Sequence, residues 1–164
     1  MERLRISKYD PKYRDANGYY TKDEWTEYYQ IDEFFTTEEI AYNEYLIVED
    51  KYVTAITAFF KINDCIKIEI SDKEFKLTND KLSDGHNTYL LNTFQNIQTK
   101  SIIEFDDLEP VIRLILRGFF WGKLRCLIKD ISVEFGYDFY IYFNSMSFSA
   151  DLIKEVNDLG LYIN

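Results

Sequence analysis

FGYDFYIYFNS, residues 135–145, carries six aromatic side chains in its first nine positions, interrupted only by Gly136, Asp138 and Ile141. Read as one strand, it places Phe135, Tyr137, Phe139, Ile141 and Phe143 on one side and Gly136, Asp138, Tyr140, Tyr142 and Asn144 on the other. The first side is almost wholly apolar and demands a covering layer. A base-stacking platform is not needed to explain it. Only Tyr140 and Tyr142 stay open as contact residues, and a bulge at Gly136 would shift the register by one.

The covering layer is found upstream. Tyr45, Val48, Tyr52, Val53, Ile56, Phe59 and Phe60 recur at spacings of three and four, which predicts a long helix over about residues 37 to 61 with these side chains on one face. Thr36 followed by Glu39 fits a capping box at its start. RLRISKYD reads as a short strand and IKIEI as a half-buried strand with Ile66, Ile68 and Ile70 inward. TYLLNTFQNI after the SDGHN turn, DDLEPVIRLILRG and SADLIKEVNDLG read as helices, with Gly118 and Gly160 as C-terminal stops. FFWGKLRCLIKD and ISVEFGYDFYIYFN read as strands joined at Lys129-Asp130, and LYI as a last short strand.

Helices and strands are thus segregated. That pattern predicts an α+β fold, a mainly antiparallel sheet of about four to six strands packed against the long helix and two or three further helices. A chain of 164 residues with few glycines and prolines predicts a single domain over residues 1–164.

No apolar run is long enough to span a bilayer and MERLRISKYD has no apolar h-region, so a cytoplasmic location away from membranes is expected. Cys65 and Cys126 stand far apart in no metal-like spacing, so they are expected to be small buried residues in a reducing compartment rather than a disulfide. The lone histidine, His86, excludes a multi-histidine zinc site, and there is no nucleophile elbow or glycine-rich phosphate loop. Asp106 with Asp107, or Asp72 with Glu74, offer a metal or acid-base pair, against which stands their reading as helix-start and turn charges. No catalytic residue, cofactor or metal ligand is assigned.

Charge is the informative feature. Asp and Glu number 29 against 19 Lys and Arg, a net charge of −10 that repels nucleic acid. Residues 1–22 are mildly basic; their KYDPKYR could stack on single strands, but pairing with the acidic segment that follows explains it better. Between Asp23 and Asp50 there are ten carboxylates and no Lys or Arg. There DEWTEYYQIDEFF interleaves Asp23, Glu24, Glu27, Asp32 and Glu33 with Trp25, Tyr28 and Tyr29, a mixture suited to a basic protein partner: carboxylates steer and pair, rings anchor. The opposing reading is a solvated acidic surface whose rings point into the core.

RISKYDPKYRDANGYYTKDEWT, FFWGKLRC and VEFGYDFYIYF together resemble a family of small acidic bacterial immunity proteins associated with polymorphic toxin systems of the contact-dependent inhibition type. The chain departs from that pattern at EYYQIDEFF, so the resemblance implies no particular toxin. It implies a binding protein rather than an enzyme, which neutralises a cognate toxin domain by stoichiometric occlusion; the acidic charge adds the expectation that this domain is basic, a nuclease. The alternatives are an acidic DNA mimic that inhibits a host nucleic-acid enzyme and a carboxylate-site metal enzyme. Oligomeric state is left open.

Overall fold

A computed structural model describes residues 1–76, 82 and 85–164. One seven-stranded antiparallel sheet runs through it: β1 (Glu2–Ser7), β2 (Lys67–Phe75), β3 (Ile102–Glu104), β4 (Phe120–Cys126), β5 (Ser132–Phe135), β6 (Ile141–Ser145) and β7 (Tyr162–Ile163). Their spatial order is β3-β2-β4-β5-β6-β1-β7, and every pairing is antiparallel. The α+β expectation holds, with one strand more than its upper count. Ile102–Glu104 was unanticipated because three residues carry no readable alternation.

Among the described residues the α-helices with assigned bounds are α1 (Glu38–Ile62), α2 (Leu91–Thr99), α3 (Leu108–Leu116) and α4 (Ala150–Asp158). α1 starts one residue later than the capping box suggests: Thr37, not Thr36, is the N-cap, its hydroxyl accepting from the Ile40 amide at 3.2 Å. Its apolar face carries Tyr45, Tyr52, Val53, Ile56, Phe59 and Phe60, all buried. Phe59 stacks on Phe143 with centroids 4.5 Å apart, so the long helix covers the face of the sheet that the alternation at 135–143 demanded. On the opposite face Arg3, Arg5, Lys123, Arg125, Glu69, Glu134 and Tyr142 form a polar ladder. Arg3 and Lys123 both pair with Glu134, and the Arg3 guanidinium lies 4.0 Å from the Tyr142 ring centre. Ser83 and Asp84 of the expected SDGHN turn fall outside the described residues; Gly85, His86 and Asn87 form a turn. Ile66 is exposed instead of inward, because β2 begins after it.

Two corrections matter. FGYDFYIYFNS is not one strand but the end of β5, the turn of the β5–β6 hairpin and the whole of β6. The Gly136 amide bonds to the Tyr140 carbonyl at 2.7 Å and the Tyr140 amide to the Tyr137 carbonyl at 3.1 Å, with Asp138 and Phe139 at φ 57° and 61°. Positive φ at both central residues is the signature of a type I′ turn. Gly136 and Tyr137 together oppose Tyr140, a one-residue bulge. Phe139 tolerates its left-handed backbone because its ring is buried against Trp25 and Tyr52, and the Tyr52 hydroxyl donates to its carbonyl at 2.8 Å.

The second correction concerns Cys65 and Cys126, which form a disulfide with Cα atoms 5.8 Å apart. The bond joins the end of the α1–β2 connection to the end of β4, where β2 and β4 already pair at Ile68 and Cys126. Burial was foreseen; pairing was not, because chain folding across 61 residues brings the two together.

Candidate functional site: an acidic strip and an aromatic cleft

Residues 28–33 form a 3-10 segment that leads into the N-terminus of α1. Of the ten carboxylates between Asp23 and Asp50, three are consumed internally. Glu24 faces the Lys8 ammonium at 3.5 Å, the one pairing found between the basic N-terminal residues and this segment among the described residues. Glu49 and Asp50 are held by arginines of α3 and its C-terminal turn. The other seven, Asp23, Glu27, Asp32, Glu33, Glu38, Glu39 and Glu44, are exposed and form no ion pair among the described residues. Exposed rings and side chains of Tyr29, Phe34, Ile40 and Ile47 lie among them. Ile40, Glu44 and Ile47 are spaced four and three apart and share one outward face of α1.

The proposed anchors divide. Trp25 and Tyr28 are buried: the Trp25 ring packs on Tyr45 and Phe139 at 5.5 and 5.2 Å, and Tyr28 on Tyr45 at 4.7 Å. They hold the segment to the core and present little to solvent. Tyr29 is 39% exposed, and it stands with Asp23, Glu27, Asp32 and Glu33 on the surface.

Beside Glu27 and Tyr29 lies a cleft of about 390 Å³ that sequence reading did not find. It opens where the sheet splits. β4 and β5 pair only at Leu124 with Val133 and Arg125 with Ser132, and beyond that point the Trp121 indole N–H bridges the gap by donating to the Phe135 carbonyl at 2.7 Å. Buried Ile115, Leu116 and Phe120 line it together with the hairpin tip at 136–140. At its rim stand Tyr29, Trp121, Tyr137, Glu27, Glu74, Asp138 and Lys76. No local motif announces it, since its walls come from four separate stretches of chain.

Behind the cleft Arg117 is fully buried. Its Nε and one terminal nitrogen each donate to Glu49 at 2.7 Å, and its other terminal nitrogen donates to the His86 carbonyl and Asn87 Oδ1 at 2.9 Å each. Tyr28, Tyr42, Tyr45 and Tyr89 surround the guanidinium. Glu49 also accepts from the Tyr45 hydroxyl and from Arg113. A network so completely satisfied is structural and offers no free group for chemistry. Its signal in the sequence was a glutamate on the apolar face of one helix and arginines at the end of another.

Among the described residues no group of three or more His, Cys, Asp or Glu side chains is placed to hold a metal ion. Asp106 and Asp107 sit exposed just before α3. No helix among the described residues is long and apolar enough to cross a membrane. No protein-family model, curated protein or solved structure matches the chain.

Proposed function

We propose that this chain is an immunity protein that neutralises a basic toxin domain, a nuclease, by binding it stoichiometrically. The observation that carries the reading is the row of seven exposed carboxylates over residues 23–44, in no ion pair among the described residues and interleaved with exposed Tyr29, Phe34, Ile40 and Ile47. Unneutralised carboxylates raise the association rate of a cationic partner and select against anionic ones, while exposed apolar side chains among them supply area that gains by desolvation. A nuclease cleft shaped for phosphates presents the complementary charge. The resemblance of the N-terminal and C-terminal segments to toxin-immunity proteins points the same way. Binding requires no catalytic residue, cofactor or metal in this chain.

The test is co-expression with the product of the adjacent gene, with co-purification and rescue of growth as readouts. Glu27→Lys, Asp32→Lys and Glu33→Lys combined should abolish the complex and leave the melting temperature of the free protein unchanged. Unchanged affinity in that variant overturns the placement of the contact. Failure to bind the neighbouring product, with tight binding to an unrelated nucleic-acid enzyme, would replace immunity by DNA mimicry.

A further inference from the structure

The cleft and the strip share Glu27 and Tyr29, but the cleft has its own chemistry. Three carboxylates stand on its rim, Glu27, Glu74 and Asp138, all exposed and none in an ion pair among the described residues. Against them the rim holds, among the described residues, one cation, Lys76. The other cation in the wall, Arg117, has its guanidinium committed to Glu49, His86 and Asn87. The cleft is therefore net acidic, and an anionic or phosphorylated ligand is disfavoured there.

Its rings are equally specific. Tyr137 at the hairpin tip is 91% exposed, so its ring contributes almost nothing to the core. Trp121 is 37% exposed yet held by its indole hydrogen bond to Phe135. The tip itself is braced by the buried Phe139 ring and by the Tyr52 hydroxyl on the Phe139 carbonyl. The Trp121 ring, fixed before a ligand arrives, loses little entropy on binding.

We propose that this cleft receives an arginine side chain presented by the basic partner, its guanidinium placed among the Tyr29, Trp121 and Tyr137 rings and the carboxylates of Glu27, Glu74 and Asp138. The proposal rests on the reading of the chain as a binder of a basic protein and adds the residue type that the partner must present. Arginine fits better than lysine: its planar group stacks on a ring and forks onto a carboxylate at once, and it is more weakly hydrated than an ammonium. A cleft of about 390 Å³ has the size of a small-molecule site, room enough for one long side chain.

The chain has two tryptophans, and Trp25 is buried, so the indole signals of the ¹⁵N-labelled protein report the cleft and the core separately. The full chain is titrated at low salt with a blocked Gly-Arg-Gly peptide, its lysine analogue and its citrulline analogue. The arginine peptide should move the Trp121 indole saturably and leave Trp25 in place, lysine should bind about threefold more weakly or worse, and citrulline should not bind. Tyr137→Ser and Glu74→Gln should each weaken the arginine peptide by roughly threefold, the size of a partly exposed cation–ring or ion-pair contact. A stationary Trp121 signal, or an equal response to citrulline, overturns the cleft assignment. Such a failure leaves the wider reading intact if Asp32→Lys with Glu33→Lys, both outside the cleft lining, still abolishes binding of the partner protein. Conversely, an arginine response with no basic protein partner overturns the commitment to a protein-borne side chain and marks a site for small cations.

Discussion

Glu49 on α1 and Arg117 at the end of α3 are both fully buried and joined by two hydrogen bonds of 2.7 Å, so one carboxylate ties the long helix to the helix that follows β3. Removing either member alone strands a buried charge, and Glu49→Leu or Arg117→Met should each cost about 3–5 kcal/mol. Replacing both removes the desolvation penalty with the pair, and the double variant should recover much of that loss. Urea denaturation of the four proteins closes the cycle. Additive losses would refute the coupling.

Cys65 and Cys126 close a loop between residues 61 apart in sequence. Loop closure of this kind restricts the unfolded chain and is worth about 2–4 kcal/mol. The oxidised protein should yield no free thiol in denaturant, and reductant should lower its urea midpoint. The double variant Cys65→Ala with Cys126→Ala should melt near the reduced protein and ignore reductant. Two titratable thiols in the freshly isolated protein would contradict the pairing.

Asp138 and Phe139 both hold left-handed backbones, yet their substitution by glycine should have opposite effects. Each change relieves about 1–2 kcal/mol of steric strain. Asp138 is exposed and loses no packing, so Asp138→Gly should be neutral or slightly stabilising. Phe139 is buried among Trp25, Tyr45 and Tyr52, and deleting its ring costs about 3–5 kcal/mol, so Phe139→Gly should be destabilising on balance. Thermal melts of the two variants decide the sign.

The same hairpin explains how far the sequence could be read. Phe135 pairs with Ile141, six residues on. Because the bulge makes that separation even, the buried side chains Phe135, Phe139, Ile141 and Phe143 keep the parity of one continuous strand, and alternation alone cannot reveal the turn. Asp138 was the one turn former at its centre, and phenylalanine stands where glycine would have marked it. α1 was legible because its apolar spacing persists over 25 residues. The acidic strip was legible as charge, but the inward turn of Trp25 and Tyr28 was not, since aromatic residues beside carboxylates look alike whichever way they point. The cleft depends on a split between β4 and β5 and on residues from 26 to 141, a relation between distant segments that no local pattern encodes.

Lys8 gives a pH dependence with a definite sign. Its side chain is 7% exposed, its ammonium lies 4.2 Å from the Trp25 ring centre and 4.5 Å from that of Tyr9, and burial pulls its pKa from 10.5 down to about 8, with Glu24 opposing the shift in part. The unfolded chain keeps this proton until near its ordinary value while the folded chain releases it earlier. Between about pH 8 and 10.5 the unfolded state binds more protons, and stability rises with pH. The phenols of Tyr9, Tyr20, Tyr45 and Tyr52 act the other way: burial pushes each up, so the folded state retains protons that the unfolded state loses near pH 10. Urea midpoints should therefore climb from pH 8, turn over near pH 10 and then fall. Lys8→Met should abolish the climb and keep the fall, whatever its effect on absolute stability. Parallel curves for the two proteins between pH 8 and 10 would show that Lys8 keeps its ordinary pKa in the fold.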